Sequence, residues 1–327
     1  MKKIAALVCA VLCCAGLIAG CGGNDAADES GAETYQVGVI QLVQHVALDA
    51  ATEGFQDALT EKLGDSVTID VQNASGDSNT CATIANQFVS SGVDLIMANA
   101  TPALQAAYAA TETIPIVATS VTDYGTALDI AEWSGVSGMN VSGTSDLAPL
   151  EEQAAMIKEL FPDAKNVGLI FCSGEANSKY QIENITKYLS DYGYTCTEYS
   201  FADSNDIQAV TQSACDNSDV LYVPTDNTAA SCAGTIDGVA SAAGVPIVAG
   251  EEGICSGCGV ATLSIDYYDL GYQTGLMAYE ILVNGADPAE MEIQFAAELT
   301  KEYDAARCEA LGITVPDDYV AIEAAED

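Results

Sequence analysis

Residues 35–264 contain one pattern written twice. "YQVGVIQ" (35–41) is matched by "KNVGLIF" (165–171), both short β-rich apolar runs following polar residues. A helical pattern follows each, "ALDAATEGFQDALTEKLG" and "NSKYQIENITKYLSDYGY", with apolar residues three and four apart and Gly64 or Gly193 as the stop. The strands "VTIDVQNA" and "TCTEYSFA" come next. Then "GDSNTCATIANQFVSSGVDLIMANATPA" runs beside "SNDIQAVTQSACDNSDVLYVPTDNT", with Asp94 and Asp219 in equivalent places before a third strand. "ETIPIVATSVTD" matches "AGVPIVAGEEG", aligning Pro115 with Pro246. Each copy reads β-α-β-α-β-α-β, which predicts a parallel sheet with right-handed crossovers. The expected fold class is α/β, with two Rossmann-like lobes. At 327 residues and 49% hydrophobic composition the chain can fill two cores.

The Gly- and Ser-rich stretch "SGMNVSGTSDLAP" (137–149) suits a hinge crossing between the copies. "DYYDLGYQTGLMAYEILVNG" (266–285) predicts a helix closed by Gly285, and "AEMEIQFAAELT" (289–300) a further strand. These fit a chain that crosses back and then again, a multi-strand hinge. The expected boundaries are 35–143 plus 266–288 for the first lobe and 144–265 plus 289–327 for the second.

The N-terminus reads as a targeting segment. Lys2 and Lys3 precede an apolar run of 17 residues, "IAALVCAVLCCAGLIAG", which is short for a membrane span. It ends in "LIAGC", which resembles a bacterial lipoprotein lipobox (Leu17, Ala19, Gly20, Cys21). Residues 1–20 are therefore expected to be a lipoprotein signal peptide and 21–34 a flexible tether. Lipid, including palmitate, on Cys21 would place the protein at the cell membrane on its extracytoplasmic face. Eight further cysteines (81, 172, 196, 215, 232, 255, 258 and 308) fit disulfides or free thiols, with no pairing readable. "CSGC" (255–258) has no second CxxC, and it reads as part of a glycine-rich turn rather than a helix-opening redox motif.

There are 48 acids against 9 bases, a formal charge of −39. Such a field repels nucleic acid and favours neutral, zwitterionic or cationic ligands. In open parallel sheets ligands bind beyond the carboxyl ends of the strands. Here those ends carry Gln41, His45, Asn99, Thr101, Ser120, Thr122 and Asp123 in the first copy, and Glu175, Asn177, Ser178, Thr225, Asp226, Asn227 and Glu251 in the second. Each reads equally as an ordinary helix cap, but two opposed rows predict a polar cleft.

The stretches "GVIQLVQHVALDAATEGFQDAL", "VQNASGD", "ANATPALQAA", "SVTD", "GTSD", "GEANS", "VPTDNT" and "IDYYDLGYQTG" resemble the periplasmic-binding-protein-type solute receptors of ABC transporters. More narrowly, they resemble the branch associated with tryptophan and tyrosine uptake, and the likeness runs from about residue 35 to 316. It implies a type I periplasmic-binding fold, a lipoprotein receptor acting as a monomer, a partner permease with its ATPase, and no cofactor. The many cysteines and "EEGICSGCG" depart from the pattern.

An aromatic amino acid offers a carboxylate, an ammonium and a flat apolar ring. The one arginine, Arg307, lies outside these motifs, so the carboxylate would need helix N-termini at "ATP" (100–102) or "GEANS" (174–178). For the ammonium the candidates are Asp226, Glu175 and Asp123, in that order, although Asp226 is equally an N-cap. Val43, Pro102, Pro224 and Tyr267 could face the ring, and Tyr267 could instead pack the hinge. His45, the single histidine, has no nucleophile partner in view and reads as a hydrogen-bonding wall. No GxSxG, Walker A, dinucleotide glycine fingerprint or HExxH is present, so no catalytic or metal residue is expected. Another small ligand (other amino acid, nucleoside or sugar) stays open, as does an extracellular sensor or enzyme. Trp133, the single tryptophan, lies outside the strand ends, against the stacking usual at sugar sites.

Overall fold

A computed structural model describes residues 34–322; the signal segment, Cys21 and the last five residues lie outside the described residues. The first lobe runs β1 (Tyr35–Gln41), α1 (Val46–Leu63), β2 (Val67–Asn73), α2 (Ser78–Ser91), β3 (Leu95–Asn99), α3 (Thr101–Ala110), β4 (Ile116–Thr119), α4 (Tyr124–Ala127) and β5 (Val141–Ser145). The second runs α5 (Leu150–Leu160), β6 (Asn166–Cys172), α6 (Ala176–Asp191), β7 (Thr195–Phe201), α7 (Ile207–Cys215), β8 (Val220–Val223), α8 (Asn227–Ser231), α9 (Ala233–Ala243), β9 (Ile247–Ala249), α10 (Glu252–Cys258) and β10 (Ala261–Ser264). The chain then returns through α11 (Tyr267–Asn284), β11 (Gln294–Phe295), β12 (Thr300–Tyr303), α12 (Ala305–Leu311) and β13 (Val320–Ala321).

The sequence repeat is a topological repeat. One sheet has the order β11-β5-β4-β3-β1-β2 and the other β13-β12-β10-β9-β8-β6-β7; without the return strands the two orders are the same. Pairing is parallel throughout except between β10 and β12. Strands β3, β4, β5, β8, β9 and β10 are buried along their whole length, as expected where helices cover both faces of a sheet, while the edge strands β2 and β7 are largely exposed. Asp94 and Asp219 play one part in both copies. Asp94 Oδ2 accepts the Gln36 N–H at 2.7 Å, and Asp219 Oδ2 accepts the Lys165 and Asn166 N–H groups at 2.9 Å. Each thereby ties the start of its third strand to the start of its first.

The return helix α11 follows the second lobe in the chain but packs on α1 of the first. The crossing is close because it is made of glycine. A Cβ on Gly271 would stand 1.9 Å from the Ala51 carbonyl oxygen, and one on Gly54 would stand 2.1 Å from that of Tyr268. This is the physical content of "IDYYDLGYQTG".

Two local expectations are corrected. Residues 289–300 are not one strand. A 3-10 turn at Pro288–Glu290 leads to β11, which pairs with β5 in the first sheet; the chain crosses at 296–299, and β12 pairs with β10 in the second. Alternating apolar residues continue across the crossing, so the pattern hides the change of partner. "CSGC" is not in a turn either, but forms the end of α10. Glu251 caps that helix, and Arg307 closes it by donating to the Ser256 and Gly257 carbonyls at 2.9 and 2.8 Å. Gly257 is required there, since a Cβ would stand 2.5 Å from Ala233 Cβ. All eight cysteines among the described residues are free thiols, and burial pushes Cys258 up to about 12.

Candidate functional site

The register of the first sheet brings Gln41 level with both Asn73 and Asn99, and Asn99 level with Thr119, at the carboxyl edge. Gln41 and Asn99 are joined through Thr52, whose hydroxyl donates to Gln41 Oε1 at 2.7 Å and accepts from Asn99 Nδ2 at 2.9 Å. Gln41 also donates to Asp49 (2.6 Å), and Asn99 to the Leu48 carbonyl (2.8 Å), which fixes the first turns of α1 on the sheet. Every polar atom of Gln41 is thereby used, whereas Asn99 Oδ1 is left bare. The backbone just past these strand ends is bent into the left-handed region at Ala100 (φ 95°) and Ser120 (φ 55°), a conformation costly for residues with a Cβ. The hydroxyls that follow those bends, on Thr101 and Ser120, are buried and unpartnered.

In the second lobe two carboxylates organise the strand ends. Asp226 caps α8, accepting the Ala229 N–H on Oδ1 at 2.8 Å, while Oδ2 accepts from Cys172 N (2.6 Å) and Ser178 Oγ (2.7 Å). Burial and the neighbouring Glu175 charge push its carboxyl up to about 7. Glu175 accepts from the backbone N–H and side chain of both Asn227 and Thr228. The acids placed first and second for an ammonium are thus spent within the second lobe. The third, Asp123, caps α4 through the Thr126 N–H (2.7 Å). Asn177 turns its amide nitrogen to Glu175, Ser178 and the Thr225 carbonyl, which leaves its Oδ1 buried and bare.

Two side-chain hydrogen bonds span the lobes among the described residues, and a third cluster sits at a crossing. His45, before α1, meets Asn227, at the start of α8, at 3.4 Å. Gln181 of α6 reaches the Thr122 hydroxyl at 3.5 Å while holding the Thr225 backbone through its N–H and carbonyl. At the crossing after β5, Asp146 accepts from Thr122 Oγ1 (3.0 Å) and from the Tyr267 hydroxyl (3.2 Å). Asp146 is 4% exposed and burial raises its carboxyl to about 6, the two hydrogen bonds holding it from going higher. Glu251 accepts the Gly253 and Ile254 N–H groups at 2.6 Å; burial first, with help from the charges of Glu252 and Asp146, pushes it up to about 7.

The structure therefore gathers the sequence-predicted residues at two facing edges but gives them unequal work. Gln41, Asp123, Glu175, Ser178, Thr225, Asp226 and Asn227 hold the walls together. His45 Nδ1, Asn99 Oδ1, Thr101 Oγ1, Ser120 Oγ and Asn177 Oδ1 are five of the eight buried side-chain polar atoms without a partner among the described residues. Buried polar atoms are nearly always satisfied, so five bare ones at the strand ends are where water or a polar ligand would be accommodated. Arg307 lines one groove with His45 but is itself paired with Asp237 and Asp304. Two open grooves of about 980 and 900 Å3 are lined by residues of both lobes, the first including His45 and the second Glu251 and Tyr267, and neither reaches Asn99, Thr101, Ser120 or Asn177. Trp133 stacks on Tyr124 in the first lobe, with ring centroids 6.2 Å apart, and not at the strand ends.

Two participants escaped the sequence reading. Asp146 stands in "GTSD", which reads as hinge crossing and as part of the family likeness without Asp146 being singled out. Gln181 lies one helical turn from Asn177 and Ser178, so it shares their face of α6; that spacing was the available signal.

Comparison with known proteins identifies the family and the fold. The family described as "ABC transporter substrate binding protein" matches residues 36–327. A curated tyrosine-binding protein of Clostridioides difficile (strain R20291) is 38% identical over 291 residues, covering 86% of this chain and 84% of that one. Among solved structures, an ABC domain from Streptococcus pneumonia in complex with L-Trp is 33% identical, with TM-score 0.83, covering 87% of this chain and 97% of that one. The ligand-free, open structure of a Clostridium difficile substrate binding protein with adhesive properties is 35% identical, covers 89% and 100%, and has a TM-score of 0.67. At nearly equal identity, this structure superposes better on the L-Trp complex than on the open form.

Proposed function

The chain belongs to the ABC transporter substrate-binding protein family, and on that premise we propose that it binds an aromatic amino acid between its two lobes. Five bare, buried polar atoms at facing strand ends are the observation on which this reading rests, together with lobes already joined by His45–Asn227 and Gln181–Thr122. The names of the two similar proteins, one tyrosine-binding and one holding L-Trp, support the ligand class.

The ammonium goes to Asp146. Its carboxylate accepts two side-chain bonds and a backbone N–H, where that of Glu175 accepts five bonds, and Glu251 adds negative potential while its carboxylate stays committed to capping α10. The carboxylate goes to the N-terminus of α3, where the bend at Ala100 presents backbone N–H groups beside the Thr101 and Ser120 hydroxyls. Asn99 and Asn177 close the polar walls. Closing the lobes removes water from these groups, which strengthens each bond.

The receptor role carries no chemistry of its own: it captures a solute and passes it to a permease driven by an ATPase. We read Cys21 as the lipid anchor that keeps it, as a monomer, on the extracytoplasmic face of the membrane. No helix among the described residues is long and apolar enough to cross a membrane. The test is a thermal-shift and calorimetric screen against amino acids, nucleosides and sugars. Saturable binding of tyrosine or tryptophan is expected; silence across all amino acids, or binding of a sugar instead, overturns the ligand reading.

A further inference from the structure

We infer that His45 reads a hydrogen-bond donor on the ligand's ring, and that Glu175 and Asn227 set its polarity from the opposite lobe. The inference rests on the amino-acid reading above and goes beyond it by dividing the aromatic amino acids into two groups. The argument is a chain of forced donors and acceptors. Glu175 Oε2 accepts the Asn227 backbone N–H, so the Asn227 side-chain atom 2.7 Å from that same oxygen is the amide nitrogen. Glu175 also accepts the backbone N–H groups of Asn227 and Thr228, at 3.1 and 2.9 Å, which fixes it as the acceptor of the group. The amide orientation of Asn227 is thereby settled, and the atom it presents across the cleft to His45 Nε2 is the carbonyl Oδ1, at 3.4 Å. An amide oxygen cannot donate. His45 Nε2 must therefore carry the proton, and a neutral imidazole protonated there holds a lone pair on Nδ1. Burial favours that neutral form by lowering the imidazole pKa.

Nδ1 is buried and has no partner, although His45 sits at the N-cap of α1, where a side-chain acceptor usually takes a backbone N–H. It is an acceptor waiting for a donor. With the α-ammonium at Asp146, the donor left on an aromatic amino acid is on its ring: the phenol O–H of tyrosine or the indole N–H of tryptophan. Phenylalanine has none. A site that desolvates an acceptor rejects the analogue that cannot satisfy it, because the bare acceptor then stays unpaired in the closed complex.

The test uses the mature full-length protein and compares calorimetric Kd values for tyrosine, O-methyltyrosine, tryptophan, 1-methyltryptophan and phenylalanine. Tyrosine and tryptophan are expected to bind about ten- to hundredfold more tightly than phenylalanine and than their own methylated forms. His45→Phe should lose the preference, with the Kd values for tyrosine and phenylalanine coming within about threefold of each other. His45 is the only histidine in the chain, so one 15N-histidine spectrum of the unmodified protein reads its tautomer directly. The Nε2–H form is expected without ligand, with the Nδ1 signal shifted by tyrosine and unmoved by phenylalanine. In Asn227→Leu, where nothing holds the tautomer, the Nε2–H form and the preference should weaken together. Equal Kd values for tyrosine and phenylalanine, an Nδ1–H tautomer, or an Nδ1 signal indifferent to tyrosine overturns the inference while binding itself persists. No binding of any aromatic amino acid sinks the functional reading, and the inference with it, and is distinguished by the absence of any heat or thermal shift.

Discussion

The hydroxyl of Tyr267, the first residue of α11, donates to Asp146 at 3.2 Å, joining two separate crossings between the lobes at one carboxylate. Asp146 →Asn tests whether that carboxylate holds the ligand ammonium. Affinity is expected to fall on the order of 100-fold, because an ion pair in a dry site becomes a neutral contact. The melting temperature of the ligand-free protein at pH 8 should hold or rise, since a buried charge without a cation has been removed. Calorimetry and a thermal melt on the same sample read both effects.

Acidity should move stability and affinity in opposite directions. Asp146 (about 6 against an ordinary 3.8), Asp226 (about 7 against 3.8) and Glu251 (about 7 against 4.5) are all raised by burial. A raised carboxyl contributes stability that is full below its unfolded value and is lost as pH climbs through its folded value. The ligand-free melting temperature is therefore expected to drop between about pH 4 and pH 7. Binding requires Asp146 ionised, so affinity should weaken as pH falls below about 6. Melts and titrations across pH 4.5–8 on the order of half-unit steps check both slopes.

For Asp226 the expected signature is the reverse of that for Asp146. Asp226→Ala leaves the Ala229 and Cys172 N–H groups and the Ser178 hydroxyl without their acceptor, and should cost about 1–3 kcal/mol of stability. Ligand affinity should change by less than about threefold, a shift well under 1.4 kcal/mol. Collapse of binding with an unchanged melt would return the ammonium to Asp226.

Gly271→Ala places a methyl group against the Ala51 carbonyl oxygen and must push α11 away from α1. A loss of about 1–3 kcal/mol is expected, read as a lower urea midpoint.

Most of the fold was legible because the repeat is a physical one. Asp94 and Asp219 sit at the same place in each copy because each ties a third strand to a first. What could not be read was identity of partner. Residues 291–299 keep one alternation while moving from one sheet to the other, because alternation records facing and not neighbour. In the site, sequence located the strand ends but not how many donors each acid already meets: Asp226 and Asp146 look alike in a string, and only the surrounding groups distinguish them. Cap and ligand contact use the same residue types at the same place, so that choice is made by tertiary packing.

The seating of α11 on α1 also sets a timetable for synthesis. Ala51, Phe55 and Ala58 of α1 complete their cover in a helix that ends at Asn284, so the first lobe emerges from the ribosome unfinished and stays so while α5 to β10 of the second lobe are made. The lobe that starts first waits for an element made after most of the second. During that interval an apolar strip on α1 is open to chaperones, and in an exported chain it is open to the translocation machinery as well.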